Sequence, residues 1–255
     1  MRILATYNIK GGVGKTATAV NLGYLAARDG YRVLLWDLDP QGAASFLFRV
    51  KPRVKGGGKA LIQGRRPLDG AIKGTDFDNL DLLPADFTYR NLDLLLDAAK
   101  KPERRLASLL APLKSDYDVV ILDCPPSISL LSESVLHAAD LLLVPLIPTT
   151  LSVRTLDQLT EFVGGFNGQR PEVLAFFSMI DRRKRLHKQI AQDLPAQRPD
   201  FAAAAIPALS VIEQMSVQRA PVTAFAPRSV AARQYAELWR EARERAGLGA
   251  RPSAA

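Results

Sequence analysis

Short uninterrupted apolar runs alternate with longer amphipathic stretches along nearly the whole chain. Ile3–Tyr7 predicts a first strand, and the residues from about Lys15 to Asp29 predict a helix. Val20, Leu22, Leu25 and Ala26 form the apolar side of that helix, and Gly30 is placed to end it. Val33–Trp36 reads as the next strand, ending at Asp37. Further strands are expected at Leu80–Leu83, Val119–Leu122, Leu141–Val144, Val173–Met179 and Ala202–Ile206. Pro84, the Pro125-Pro126 pair, Pro145 and Pro207 are read as stops for four of them. A last helix spans about Arg228 to Ala246.

Strands that are apolar throughout suit burial on both faces, and alternation with helices suits parallel pairing. The expectation is an α/β fold: a doubly wound, mainly parallel sheet with helices on both faces, forming a single domain over residues 1–255. Residues 49–66 are expected to be a mobile basic loop and residues 247–255 a frayed tail.

Composition narrows the classes. The 255 residues are 47% hydrophobic and contain one cysteine, Cys124. A disulfide within the chain, a four-cysteine zinc site and a cysteine-ligated cluster are all excluded within one copy. A reducing, cytoplasmic setting fits this usage best. No run approaches the ~18 apolar residues of a membrane-spanning helix, and the opening residues are too briefly apolar for a signal peptide.

The net charge is +8, which favours polyanionic partners without identifying one. Its distribution says more. Between Arg49 and Gly74, Arg49, Lys51, Arg53, Lys55, Lys59, Arg65, Arg66 and Lys73 face a single acid, Asp69. Arg182-Arg183-Lys184-Arg185-Leu186-His187-Lys188 forms a second cluster. Clustered cations neutralise phosphates and give salt-sensitive, sequence-independent DNA binding.

The most specific chemistry lies between the first strand and first helix, in Lys10-Gly11-Gly12-Val13-Gly14-Lys15-Thr16. Glycines let backbone N–H groups wrap a phosphate, and the helix start adds its positive dipole end. Lys15 can reach β- and γ-phosphates and the Thr16 hydroxyl can ligate Mg²⁺. The common pattern G-x-x-x-x-G-K-[ST] fails at its first glycine, where Ile9 stands. Asp37-Leu38-Asp39-Pro40-Gln41-Gly42 follows the second strand, and its alternate acids share a face in an extended segment. Asp123 closes the Val119–Leu122 run, where a carboxylate can hold Mg²⁺ through water. Cys124 reads as a small buried residue, and neither His137 nor His187 has the partners needed for nucleophilic chemistry.

Lys-Gly-Gly-Val-Gly-Lys-Thr resembles the deviant Walker A motif of the ParA/MinD ATPases, and the resemblance extends over nearly the whole chain. It implies a P-loop ATPase that binds ATP and Mg²⁺ through Lys10, Gly11, Gly12, Val13, Gly14, Lys15, Thr16 and Ala17. Lys10 would reach the nucleotide of a second copy, so that ATP holds a sandwich homodimer together. Lys10, Lys15 and Asp39 would be catalytic, with Asp39 positioning the attacking water; Thr16, Asp37 and Asp123 would surround the metal. Met179 and Asp181, in Ser178-Met179-Ile180-Asp181, and Pro207, in Ile206-Pro207, match segments that frame adenine. After Pro207 the sequence Ala-Leu-Ser-Val-Ile-Glu-Gln-Met departs from the Arg-Asn-x-Arg of many partitioning members. Arg219 is the candidate to take over part of that role, beside Arg182, Arg183, Lys184, Arg185 and Lys188.

The function implied is cargo positioning: an ATP-made dimer binds nucleoid DNA without reading sequence and leaves it after hydrolysis stimulated by a ParB-like or other adaptor. A MinD-like cycle at a membrane is the alternative, but Val230, Tyr235, Leu238, Trp239 and Ala242 read as sheet-packing positions, so no stable membrane association is expected. A metabolic kinase or ligase would need a second acid/base constellation, and none is evident. An ATP-binding adaptor without turnover conflicts with the presence of both Asp39 and Asp123. No helix-turn-helix precedes the phosphate loop, which argues against operator-specific repression.

Overall fold

The computed structural model describes residues 1–64, 67–166, 170–249 and 251. The strands are β1 (Arg2–Thr6), β2 (Val33–Asp37), β3 (Lys73–Gly74), β4 (Leu80–Leu83), β5 (Val119–Asp123), β6 (Leu141–Leu146), β7 (Glu172–Ile180) and β8 (Phe201–Pro207). Among the described residues they form one sheet in the order β3-β4-β2-β5-β1-β6-β7-β8. Every pairing is parallel except β3 with β4 at one edge.

The helices are α1 (Lys15–Arg28), α2 (Ala43–Leu47), α3 (Gly57–Ile62), α4 (Leu92–Asp97), α5 (Arg105–Leu110), α6 (Leu130–Ala138), α7 (Thr150–Gly164), α8 (Arg185–Asp193), α9 (Ser210–Glu213), α10 (Met215–Gln218), α11 (Val222–Phe225) and α12 (Val230–Arg245). Side-chain alternation along the strands feeds two cores. Ile3, Leu34, Trp36, Val120, Leu122 and Leu142 pack with α4 to α7 on one face. Leu4, Val33, Leu35, Ile121, Leu141 and Leu143 pack with α1 and α12 on the other. The doubly wound α/β expectation is met. Among the described residues, no helix is long and apolar enough to cross a membrane.

Three expectations need correction. β6 does not stop at Pro145 but continues to Leu146. Its pairing with β1 ends at Leu143, and the Pro145 carbonyl accepts from the Asn8 amide at 2.8 Å, so proline interrupts no ladder there. The last helix begins at Val230, because the Ser229 side chain accepts from the Ala232 N–H and caps it. The segment 49–66 is not loop throughout. α3 buries Leu61 and Ile62, and Gly58 approaches Tyr89 and Leu92 so closely that an added Cβ would lie 3.0 and 2.9 Å from them. Arg65 and Arg66 lie outside the described residues, as does most of the tail expected at 247–255.

Candidate functional site

The parallel sheet brings the ends of β1, β2 and β5 together, the position where open α/β sheets bind ligands. Thr6 on β1 and Asp37 on β2 are both register partners of Asp123 on β5. The Thr6 hydroxyl donates to Asp123 Oδ1 at 3.3 Å. The Ser45 N–H and hydroxyl, from α2, both donate to Asp37 Oδ2 at 2.7 Å. The second oxygen of each carboxylate, Asp37 Oδ1 and Asp123 Oδ2, is buried without a hydrogen-bond partner.

Burial pushes the Asp37 carboxyl up to about 6, against the two bonds from Ser45. Burial also raises Asp123 well above the usual carboxylate range, and the nearby Asp37 charge adds to this. The Thr16 hydroxyl and the Lys15 charge pull Asp123 the other way. Two adjacent buried carboxylates with orphaned oxygens are costly when ionised, unless a cation neutralises them. All-oxygen donors, Thr16 among them, suit a hard divalent ion such as Mg²⁺. The residues present fit that group.

The phosphate loop is held at both ends. Asn8 Oδ1 accepts from the Lys10 N–H at 2.8 Å while its amide bonds to β6. Lys15 Nζ donates to the Lys10 carbonyl at 3.1 Å, and Val13 is buried as the apolar anchor of the turn. Burial lowers the Lys15 ammonium below the usual lysine range, opposed chiefly by Asp123. The Lys10 backbone is therefore fixed at two points while its residue is exposed. Gly14 caps α1 with φ 94°, and a Cβ there would sit 2.8 Å from Ser178 Oγ. Gly14→Ala is expected to weaken nucleotide binding more than ten-fold, because a side chain is strained at φ 94° and the Ser178 hydroxyl or the loop must also shift. Adding Ser178→Ala should recover part of the loss and leave the strain at positive φ, as a nucleotide titration of both variants would measure.

A cavity of about 370 Å³ opens above this loop. Gly11, Gly12, Gly14, Lys15, Thr16 and Ala17 line one side, and Asp39 stands among them. Asp39 Oδ1 accepts from the Gln41 N–H at 2.9 Å, which keeps the carboxylate at the rim. Met179 and Pro207 line the far side, Met179 with φ 55° in the left-handed region that side chains rarely adopt. Ala208, Leu209, Ile212 and Glu213 complete that side. Sequence reasoning missed these four, together with Asn8, Thr6 and Ser45. The signal for the first group was the stretch after Pro207, which had been read only for an arginine pattern it lacks.

Two expected site residues lie elsewhere. Asp181 does not line the cavity. Its two oxygens accept from Arg183 Nε and Nη2 at 3.0 Å, and its N–H donates to His187 Nδ1 at 3.2 Å. Arg219 lies apart from the α8 cluster, on the surface beside α2: Nε donates to the Phe46 carbonyl at 3.0 Å and the guanidinium sits 4.6 Å over the exposed Phe46 ring. Arg49 makes the reciprocal bond to the Gln218 carbonyl at 3.0 Å. These contacts tie the far end of α2, the helix that begins just after the carboxylate segment, to α10. Arg182, Arg183, Lys184, Arg185 and Lys188 are all exposed around the start of α8, just beyond Met179.

The chain is similar to known proteins over most of its length. A family model described as an AAA domain matches residues 1–175. The chain is 34% identical over 251 residues to the chromosome partitioning protein ParA of Caulobacter vibrioides, covering 94% of this chain and 93% of that one. It is 32% identical to the sporulation initiation inhibitor protein Soj of Bacillus subtilis, covering 94% and 97% respectively. A solved structure of cobyrinic acid a,c-diamide synthase from Mycobacterium smegmatis, with bound ADP and magnesium, superposes with a TM-score of 0.78 at 28% identity. That superposition covers 100% of this chain and 99% of the other.

Proposed function

The chain belongs to the AAA-domain family that includes the ParA partitioning proteins, and from that premise we propose that it is an ATPase that positions cargo on DNA. The observation that carries the reading is the meeting of Lys15, Asp39 and the orphaned oxygens of Asp37 and Asp123 at one end of the sheet. A phosphate loop alone would bind a nucleotide; this grouping also supplies what turnover requires.

The N–H groups of Gly11 to Thr16 and the Lys15 ammonium would hold the β- and γ-phosphates of ATP. Met179, Pro207 and the stretch Ala208–Glu213 would enclose the base. Mg²⁺, when bound, would neutralise charge on the phosphates, and Thr16, Asp37 and Asp123 are the residues that would hold it, the carboxylates directly or through water. Asp39 would accept a proton from, and orient, the water that attacks the γ-phosphorus, releasing ADP and phosphate. The exposed Lys10 would extend to the nucleotide of a second copy, so that dimerisation depends on ATP.

For the dimer we propose sequence-independent DNA binding through Arg182, Arg183, Lys184, Arg185 and Lys188. Their placement at the positive end of the α8 dipole supports this reading, because both charges attract phosphate. Of the five positions read as sheet-packing, Tyr235, Leu238, Trp239 and Ala242 are buried against the sheet and α1 while Val230, at the start of α12, is exposed; the four buried ones disfavour a membrane-facing role for α12. An adaptor protein would stimulate hydrolysis and release the DNA.

The test is charge reversal at Arg182, Arg183 and Lys184. ATP-dependent dimers should persist by sizing, while affinity for random-sequence duplex falls at least ten-fold. For the wild-type protein, log K should fall by about 0.9 per phosphate neutralised against log salt. Binding of anionic vesicles with no DNA binding at low salt would replace this reading with the membrane cycle.

A further inference from the structure

A second basic cavity lies at the β3 edge of the sheet, lined by other elements than those around the phosphate loop. It has a volume of about 460 Å³ and is lined by Arg53, Val54, Lys55, Gly56, Gly70, Ala71 and Lys73. Three of those seven residues are cations and none is an acid.

The neighbouring carboxylates bond to backbone N–H groups or to Arg49. Asp69 Oδ1 accepts from the Gly70 N–H at 2.7 Å, and Asp76 pairs with Arg49 at 2.8 Å. Asp86 feels the Arg53 charge, and its oxygens are taken up by the wall: Oδ2 accepts from the Val54 N–H at 2.8 Å and Oδ1 from Thr88. Among the described residues, Arg53, Lys55 and Lys73 form no ion pair.

The cavity wall is also built rather than loose. Asp86 pins Val54 between Arg53 and Lys55, and Thr88 Oγ1 accepts from the Gly58 N–H at 2.8 Å. Val54 is buried, so the two cations flanking it are held on a fixed turn. Lys73 is fixed independently by the pairing of β3 with β4. Arg53 and Lys55 come from one anchored segment and Lys73 from another, all three are exposed, and like charges lining one cavity repel each other unless an anion lies between them. Anchoring of the backbone lowers the cost of ordering these side chains around an anion.

We propose that this cavity is a second phosphate-binding site, distinct from the phosphate loop, in which Arg53, Lys55 and Lys73 contact one phosphate group. A backbone phosphate of DNA and a small phosphorylated solute share that chemistry, and the experiment separates them.

Pyrophosphate is titrated at low salt into the full-length Lys15→Ala variant, so that the phosphate loop is disabled, and into the same chain also carrying Lys55→Ala and Lys73→Ala. Saturable binding is expected in the first and at least ten-fold weaker binding in the second. Lys55→Ala/Lys73→Ala in an otherwise wild-type chain should keep its affinity for a non-hydrolysable ATP analogue and its melting temperature, which separates failure here from failure of the ATPase reading. A 20-base-pair duplex that displaces the pyrophosphate identifies the DNA backbone as the source; a duplex that does not identifies a small phosphorylated solute. Absence of saturable pyrophosphate binding, or equal binding with and without Lys55 and Lys73, overturns the site.

Discussion

Replacing Lys15 with alanine is expected to abolish nucleotide binding while leaving the fold intact. Lys15 is buried, and its ammonium lines the cavity that the glycines of the loop enclose. Hydrogen bonds to charged groups contribute roughly 1.5–3 kcal/mol each, so losing two to a triphosphate weakens binding by about 10²–10⁴ at 1.4 kcal/mol per decade. The substitution also removes a buried charge whose pKa is already pushed down by desolvation. Its folded-state costs are local: the Lys10 carbonyl loses its donor and the buried Asp123 carboxyl loses a compensating charge. Circular dichroism should match the wild type, while titration with a fluorescent ATP analogue shows no binding at micromolar concentrations. Tight binding by the variant would reject the phosphate-loop assignment.

The parts of the site that could be read in the sequence are those where local chemistry has one use. The strands β2 and β5 were visible because an apolar run buried on both faces leaves no other periodicity to compete. Lys15, Thr16 and the acids at the ends of β2 and β5 were legible because glycine spacing and strand ends fix their placement. What could not be read depends on contacts distant in sequence. Asn8 matters because Pro145, far along the chain, presents its carbonyl to it. Ser45 matters because α2 turns back onto Asp37.

Segment 49–66 misled because three glycines and several cations resemble a solvated linker. The close approach of Gly58 to Tyr89 and Leu92 explains why glycine stands there. The Arg219 contact was not legible either, because the Phe46 ring and carbonyl that hold its guanidinium lie far away in sequence.

The Arg219 contact links α2 to the segments that follow the cavity lining. α2 begins immediately after the Asp39 segment and carries Ser45, the donor to Asp37. Its far end is held by Arg219, and α10 in turn is held by Arg49. The carboxylate segment is therefore braced against the elements that follow residues 208–213, part of the cavity lining.

Asp39→Ala is expected to separate ATP binding from hydrolysis. Asp39 stands at the cavity rim with one oxygen bonded to the Gln41 N–H, so its other oxygen is available to a water. A positioned proton acceptor contributes about 10²–10⁴ in rate, and loss of it should reduce hydrolysis by that order. The phosphate cradle of Gly11 to Thr16 does not depend on Asp39, so ATP should still bind. With ATP no longer consumed, the protein should accumulate as a dimer in the presence of ATP and Mg²⁺. Asp39→Asn provides the control, because its side-chain oxygen can keep the Gln41 bond while losing the carboxylate charge. Both variants should behave alike if charge is what matters; a rescue of turnover by asparagine would assign Asp39 to holding the turn instead. Size-exclusion chromatography with ATP and a phosphate-release assay decide the point, and a variant that hydrolyses ATP within a few-fold of wild type and runs as a monomer would remove Asp39 from the reaction.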